Sequence, residues 1–268
     1  MKAAPVVSAQ SVITLARAGR RVLGVLPAAL ALLVAAARAQ LAPAEILRRV
    51  DANMTFTTAH ARAEMVIRYR GGDVRTLRYE SWARGTDEAF IEFTAPARDA
   101  GSRFLRRDDA MWIFLPRVGK SVRIQGHMLR QGMMGSDISY GDASERPSMV
   151  EDYDATLERR DTLDGRPVWV LHLVARRADL SYPKRRLWVD AERNVPLREE
   201  RFATSGRLLK TAVLGDVRRV GNRWYPFRME LDNALDTETT TTLNILELRL
   251  GVSVPAEVFT LRYLEGGR

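Results

Sequence analysis

The sequence predicts a mainly β protein, a single domain built from an antiparallel meander of eleven or twelve strands. Two observations support this fold class. Short segments in which apolar and polar residues alternate recur from residue 63 onward, and turn residues such as glycine, asparagine and aspartate separate them at short intervals. No repeat of fixed period and no interdomain linker interrupts the series. The composition is that of a globular domain, with 46% hydrophobic and 28% charged residues in a chain of 268.

The N-terminal 39 residues have the features of a secretory signal peptide. Basic residues up to Arg21 precede an uncharged, mostly apolar run at 22–37, which ends in an Ala-Arg-Ala cleavage motif. The run is shorter than the roughly 20 residues of a membrane-spanning helix. We therefore expect cleavage after Ala39, export to the periplasm and a mature domain at 40–268. Retention of the leader as a membrane anchor is the alternative.

The charge balance argues against a nucleic-acid partner. The chain has 42 basic and 33 acidic residues, a net charge of +9. Five basic residues and no acidic residue lie in the leader, so the remaining domain carries only a small excess of positive charge. Arginines beside aromatic residues, as at 68–70 and 185–188, also fit anionic lipid or nucleic acid. We favour their assignment to the solvent face of alternating strands.

One helix and then a long series of strands are expected along the chain. Pro43 suits a helix N-terminus, and Ile46, Leu47 and Val50 recur on one side of a helix at 43–53. The turn Gly71-Gly72-Asp73 joins the first two strands into a hairpin. The predicted strands are 63–70, 74–84, 89–94, 104–107, 110–115, 121–125, 168–174, 185–190, 196–204, 208–220, 223–232 and 239–250.

The meander is interrupted between residues 126 and 158. This stretch is rich in glycine and contains three methionines, Met128, Met133 and Met134. An interruption of this length is usually a functional loop or a segment with short helices of its own, and 142–146 and 149–153 each fit about one helical turn. Because methionine is flexible, the three side chains suit an adaptable cover; filling of gaps in the core is the alternative.

Two predicted strands, 111–115 and 168–174, are apolar on both faces. An antiparallel strand with one solvated face would alternate instead. Either helices or a hydrophobic ligand therefore cover the second face of these strands.

The residues that common active sites require are missing or scattered. The chain has no cysteine and only three histidines, none of them at metal-ligand spacing from another. No G-x-S-x-G elbow and no phosphate-binding loop is present, and acidic pairs such as Asp108-Asp109 fit turns. We predict no catalytic residue, no cofactor and no metal site.

Motifs in the segment 111–139, which ends in the interrupted region, resemble those of the outer membrane lipoprotein-sorting protein family, in the LolA/LolB-like superfamily. Trp112, Leu115 and Pro116 match a W-x-[YF]-L-P strand end. Residues 134–139 match the motif M-G-S-D-[FIL]-S, and further similarity lies at 187–210 and 255–259. The resemblance implies an unclosed barrel of about eleven antiparallel strands with short helices covering its hollow. It also implies periplasmic carriage or sensing of acyl chains.

A carrier of this kind needs an apolar groove, because each exposed methylene of a cargo costs roughly 0.8 kcal/mol in water. Lipoprotein acyl chains or lipids would be the cargo, an inner-membrane transporter the donor and an outer-membrane protein the acceptor. The alternative is a periplasmic sensor or interaction module that regulates an envelope stress response or assists a lipid-exporting transporter. Neighbours on a strand point in opposite directions, so we prefer Trp112 and Phe114 to Ile113. The predicted groove residues are Trp112, Phe114, Trp169 and Leu171, with Met128, Met133 and Met134 as the lid.

Overall fold

The structure, a computed structural model, describes residues 41–145 and 148–266. The predicted signal peptide at 1–39 lies outside these residues. Within the described ranges no helix combines the length and the apolar character needed to cross a membrane.

Thirteen strands and three short α-helices make up the described chain. The helices are α1 (Pro43–Met54), α2 (Tyr140–Ser144) and α3 (Leu261–Leu264). The strands are β1 (Thr58–Tyr69), β2 (Val74–Arg84), β3 (Glu88–Ala95), β4 (Arg103–Arg107), β5 (Ala110–Leu115), β6 (Lys120–Ile124), β7 (Tyr153–Leu163), β8 (Arg166–Ala175), β9 (Lys184–Asp190), β10 (Pro196–Phe202), β11 (Leu208–Val220), β12 (Arg223–Asn233) and β13 (Asp236–Leu250).

All thirteen strands belong to one antiparallel sheet that does not close into a barrel. Its order is β6-β5-β4-β3-β2-β1-β13-β12-β11-β10-β9-β8-β7, so β1 and β13 meet in the middle and β6 and β7 form the edges. The chain runs from the centre to the β6 edge, crosses to the β7 edge and returns to the centre. The crossing segment is the interrupted region of the sequence, and it must therefore pass over one face of the sheet.

The predicted fold class is confirmed, but the strand count is higher than predicted. The sequence series contains no strand at Tyr153–Leu163, which is β7. Most residues of β7 are exposed because it is an edge strand, so its apolar alternation is weak. The helical turn predicted at 142–146 corresponds to α2, two residues earlier.

The sheet is strongly curled. Tyr140 of α2 contacts Phe104 of β4, with 6.0 Å between ring centroids, whereas Asp142 forms an ion pair with Arg201 of β10. Strands β4 and β10 are seven steps apart, about 34 Å in a flat sheet. Tyr140 and Asp142 are only two residues apart in α2, so they can contact β4 and β10 at the same time only if the sheet curves around the helix. The face that α2 touches is therefore concave.

Helix α1 lies across the concave face and packs on β7 and β12. Pro43 occupies its first turn, and Ile46, Leu47 and Val50 are buried on one side. At its end, the Asn53 Nδ2 atom donates to the carbonyl oxygens of Arg193 and Asn194 at 2.9 and 3.0 Å. The helix thus covers the half of the hollow that lies nearest the β7 edge.

Candidate functional site

Small side chains on β1 leave an open hollow in the centre of the concave face. Ala59, Ala61 and Ala63 occupy alternating positions and point to the same side. Together with neighbouring strands they line a cavity of about 340 Å³. This volume is at the lower end of the range for small-molecule sites, about 300–1,000 Å³. The three alanines are the floor of the hollow, because a larger residue at any of them would fill it.

The walls of this cavity are mainly apolar and aromatic. Met54 and Phe56 enter from the end of α1, and the rings of Phe56 and Tyr225 lie 5.3 Å apart. Burial raises the pKa of the Tyr79 and Tyr225 hydroxyls, so both are neutral in the physiological range. The remaining wall includes Leu214, Phe227, Met229, Leu243, Ile245 and Leu248.

A second apolar cavity continues beneath the crossing segment. Its volume is about 230 Å³, and it shares Tyr79, Met229 and Leu243 with the first. The crossing segment contributes Met133 and Ile138 to its roof, and both side chains are buried. The two cavities thus adjoin at Tyr79, Met229 and Leu243, and the second one lies under the crossing segment.

The cover of the hollow, residues 126–145, is built from short helical turns. It contains 3-10 turns at Gly126–Arg130 and Met133–Gly135, followed by α2. Ser139 caps α2: its hydroxyl accepts from the Asp142 N–H, and the Asp142 carboxylate accepts from the Ser139 N–H at 2.7 Å. These turns satisfy backbone groups locally, so the cover is folded without belonging to the sheet.

Buried charges hold the cover against strands β9, β10 and β11. The Asp142 carboxylate accepts from Arg201 Nη1 at 2.6 Å, from Tyr182 Oη at 2.6 Å and from Lys210 Nζ. Glu145, three residues on, accepts from Arg185 Nη2 at 2.5 Å. The cover therefore rests on an apolar half of the hollow and is fastened at a charged half.

The cations determine the protonation state of this cluster. Burial by itself raises the pKa of Asp142, but Arg201, Lys210 and the hydrogen bonds from Lys210 and Tyr182 outweigh it and lower the pKa to about 2. Burial also raises the pKa of Glu199, but the charges of Arg201 and Arg185 and their hydrogen bonds lower this pKa by more, so the net shift is downward. Both carboxylates are ionised at neutral pH, and each buried acid faces buried bases.

Two further contacts fasten the motif Met134–Ser139 to the sheet. The Asp137 carboxylate accepts from the hydroxyls of Thr239 and Thr241 on β13 at 2.8 and 2.7 Å. Arg75 of β2 donates to the Met134 carbonyl oxygen at 2.8 Å and to Asp99 at 2.8 Å. The M-G-S-D-I-S motif is therefore the part of the cover that binds the centre of the sheet.

A cavity of about 720 Å³ with both polar and apolar lining lies beside the cover. Arg130, Arg207 and Lys210 line it together with Asp179 and Asp236. Charges of both signs thus surround one end of the cover.

Trp112 and Phe114 lie on the convex face, away from the hollow. They pack with Phe259 and Leu264 of the C-terminal segment, in a cluster centred on Phe90 and Leu105. Ile113 instead belongs to the inner core with Met65 and Phe93 and is 5% exposed. The facing that we predicted for β5 is therefore reversed. The strand is apolar on both faces because protein covers both of them.

Trp169 and Leu171 lie on the concave face but line none of the cavities above. They pair with Val189 and Leu187 of β9, and the side chain of Leu171 is fully buried. This end of the concave face is the end that α1 covers. Here the alternative from the sequence, a helix rather than a ligand, accounts for the second apolar face.

All three methionines of the predicted lid lie in the cover. Met133 is 4% exposed, and Met128 and Met134 pack against the same inner core. Met134 has a positive φ of 56°. The structure thus brings Met133 to the hollow and packs Met128 and Met134 on the adjoining core, whereas it separates all three from the four predicted groove residues.

The sequence patterns predicted neither the three alanines of the floor nor the buried charged cluster. Alanines at 59, 61 and 63 have the period of a strand, but their strand was predicted to begin only at residue 63. A run of small residues on the core side of a strand is the signal that marks this hollow. The charged cluster had no local signal, because Asp142, Arg185, Arg201 and Lys210 come together only through the crossing of the chain.

Within the described ranges, no group of three or more His, Cys, Asp or Glu side chains is placed to hold a metal ion. His60 lies on the convex face, where Nε2 is 3.0 Å from Glu80 Oε2 and the ring stacks on Trp82.

A protein-family model with the description "Uncharacterized protein" matches residues 85–266, more than half of the chain. No curated protein matches the sequence.

Three crystal structures share the fold. A DUF1329 family protein from Desulfovibrio piger is 22% identical with a TM-score of 0.77, over 83% of this chain and 97% of that one. A putative outer membrane lipoprotein-sorting protein domain from Vibrio parahaemolyticus is 24% identical with a TM-score of 0.73, over 83% and 98%. A LolA superfamily protein from Nitrosomonas europaea is 23% identical with a TM-score of 0.71, over 84% and 100%. The family resemblance in the sequence is therefore confirmed at the level of the fold.

Proposed function

We propose that this chain, which belongs to the family whose model matches residues 85–266 and has the LolA-like fold, is a non-enzymatic periplasmic carrier of acyl chains. The observation that supports the proposal is the apolar cavity above Ala59, Ala61 and Ala63, which adjoins a second cavity under a cover that side-chain ion pairs and hydrogen bonds hold to the sheet. A chain of methylenes would gain roughly 0.8 kcal/mol for each group that leaves water.

The apolar part of the hollow suits a hydrocarbon, and its charged end suits whatever polar group the chain carries. Two structural neighbours are a putative outer membrane lipoprotein-sorting protein domain and a LolA superfamily protein. For this chain we propose the acyl chains of lipoproteins or lipids as cargo. The donor would be an inner-membrane transporter and the acceptor a component of the outer membrane, and the leader at 1–39 would direct export.

The cover gives the carrier a route for loading. Met133 and Ile138 line the cavity under the cover, so a chain that extends from the first cavity into the second would displace them. Methionine adapts its shape at little cost. Entry of cargo would therefore move the cover without unfolding the sheet.

The proposal is tested by filling the hollow. Ala61 lines the open cavity, and Ala61→Phe would occupy the space of the cargo. We expect lipids that co-purify with the wild-type protein, identified by mass spectrometry, to be absent from this variant. Binding of a fluorescent fatty acid should weaken at least tenfold.

Ala44→Phe is the matched control, because Ala44 is exposed on α1; it should bind the probe like the wild type. If the wild-type protein binds neither probe nor lipid after incubation with membranes, the carrier function is wrong. An interaction module would then be the better interpretation of the fold.

A further inference from the structure

The segment from Ala110 to Ser136 contains no acidic residue. It carries Arg117, Lys120, Arg123 and Arg130, whereas the whole chain has 33 acidic residues in 268. The segment includes the hairpin of β5 and β6 and the first part of the cover. The positive charge is therefore concentrated at one edge of the sheet, since β6 is an edge strand.

The end of this hairpin is exposed and partly apolar. Val118, in the turn between the two strands, is 57% exposed, and Val122 is 43% exposed. Arg117 and Lys120 are exposed beside Val118, and Arg123 is exposed on the face of β6 opposite to Val122. An exposed valine at a turn between Arg117 and Lys120 is typical of surfaces that bind the boundary between lipid headgroups and acyl chains.

The cations of the hairpin lack the acidic neighbours that arginines have elsewhere on the sheet. Arg218 pairs with Asp216 at 2.5 Å, and Arg249 pairs with Glu247 at 2.6 Å. In the described part of the chain, Arg117, Lys120 and Arg123 have no acidic group within 4.0 Å. The Arg123 guanidinium instead lies 5.8 Å from the centroid of the Trp112 ring.

Glu265 is the acid that reaches this hairpin. It accepts a hydrogen bond from Ser121 Oγ at 2.5 Å and offsets part of the charge on one side. The turn and Lys120 remain uncompensated, so the hairpin keeps a net positive end.

We propose that the β5–β6 hairpin docks on an anionic lipid bilayer. Arg117, Lys120 and Arg123 would contact lipid phosphates, and Val118 would enter the headgroup boundary. A bilayer fits better than an acidic protein because the turn exposes Val118 between Arg117 and Lys120, and the exposed side chains of Val122 and Arg123 extend the apolar and basic character to both faces of the edge strand. Docking itself does not depend on the carrier function, but the biological role of docking rests on that proposed function. Because β6 leads directly into the cover, docking would bring the entrance of the hollow to the membrane.

The test is co-sedimentation of the full chain with vesicles. Vesicles of equal parts phosphatidylglycerol and phosphatidylcholine should bind the protein, whereas phosphatidylcholine vesicles should bind it weakly. Binding should fall as salt is added, because surface charges are screened. The triple variant Arg117→Gln, Lys120→Gln, Arg123→Gln should lose roughly a hundredfold in partition coefficient, about fivefold for each charge removed.

A control variant removes the same charge elsewhere. Arg70, Arg160 and Arg219 are also exposed, and they lie on or next to strands at least five positions from β6 in the sheet, about 24 Å along a flat sheet. Their replacement by glutamine should lower binding by less than about twofold, because this separation exceeds the Debye length. All variants keep residues 1–39, so any affinity of that segment is common to them. Val118→Ser should weaken binding severalfold without changing its salt dependence.

Equal losses in the two triple variants would overturn the proposal, since binding would then follow net charge alone. Failure of the wild-type protein to bind phosphatidylglycerol vesicles would also overturn it. If it failed on vesicles but bound polyglutamate through the same three residues, an acidic protein would be the partner. Ala61→Phe should bind vesicles like the wild type, which separates a failure of docking from a failure of the carrier function.

Discussion

At the scale of single residues, the most informative feature is the charge buried beside an apolar hollow. Asp142 side-chain atoms are 6% exposed, and its partners Arg201 and Lys210 are 11% and 9% exposed. Taking such groups out of water is costly, so each must keep its partner. The cluster stabilises one position of the cover, because only that position pairs every charge.

Asp142→Asn should therefore lower the free energy of unfolding by about 3–5 kcal/mol at neutral pH, since Lys210 would lose its buried anion and Arg201 would keep only Glu199. About 2 kcal/mol of that loss should depend on pH, because the pKa of Asp142 is about 2 in the folded protein and 3.8 ordinarily. A lowered pKa stabilises the fold above about pH 4, and this stabilisation is lost as the pH falls through about 2. Urea unfolding at neutral and acidic pH should show the gap between wild type and variant narrowing.

Asp154→Asn is the control for this substitution. Its side chain is 72% exposed and pairs with Arg176 at the surface, so the expected change is within about 0.5 kcal/mol. A gap that stayed constant from pH 7 to pH 2 would contradict the assigned role of the Asp142 charge.

At the scale of elements, the cover is the part of the molecule whose shape depends on backbone geometry. Gly132 precedes the 3-10 turn Met133–Gly135. A Cβ atom at Gly132 would lie 2.2 Å from the carbonyl oxygen of Ser136, whereas a Cβ at Gly71 would meet nothing within 4 Å. Close approach of two backbone segments thus requires glycine at residue 132.

Gly132→Ala should open the cover. The clash involves backbone atoms, which cannot rotate away, so we expect a loss of about 1–3 kcal/mol in stability. Amide hydrogen exchange should accelerate in the cover, residues 126–145, and remain slow in the central strands. Gly71→Ala, in the first hairpin, should leave both stability and exchange close to those of the wild type; equal acceleration in the two variants would refute the explanation.

At the scale of the whole molecule, both faces of the sheet are covered by other parts of the chain. The cover and α1 lie on the concave face. The C-terminal segment, with a 3-10 turn at Ala256–Phe259 and then α3, packs on the convex face of β3 and β4. The sheet thus curls around the apolar hollow, and the C-terminal segment covers its convex face.

Phe259→Ala should show how much the convex cover stabilises the fold. Phe259 is 1% exposed, in the cluster with Phe90 and Leu105, and truncation of a buried phenylalanine typically costs about 3–5 kcal/mol. Guanidinium unfolding monitored by tryptophan fluorescence measures this loss. Leu261→Ala, at a side chain that is 41% exposed, should change stability by less than about 0.5 kcal/mol, and a similar loss in both would contradict the packing.

Sequence patterns recovered most of the sheet but little of the candidate site. Strand alternation predicted the hairpin around Gly71 and the long strands to residue 250, because each signal lies within one strand. The sequence predicted the cover as an interruption of the meander that contains methionines, and Met133 of this segment lies in the cover. Trp112 was predicted to face the hollow but lies on the convex face. A strand that is apolar on both faces gives no indication of which face is concave.

The sequence by itself determined the fold class, the position of the crossing segment and the family motif within it, because these depend on local alternation, turn residues and the order of residues along the chain. Only the tertiary structure decided that Ala59, Ala61 and Ala63 form the floor of the hollow and that Asp142 meets Arg201 and Lys210. Those contacts join residues about 60 or more positions apart in the chain, and they exist only because the sheet curls. Curling of the sheet brings the cover into contact with strands that are far apart in the sheet order. The residue pattern within a single strand gives no information on such contacts.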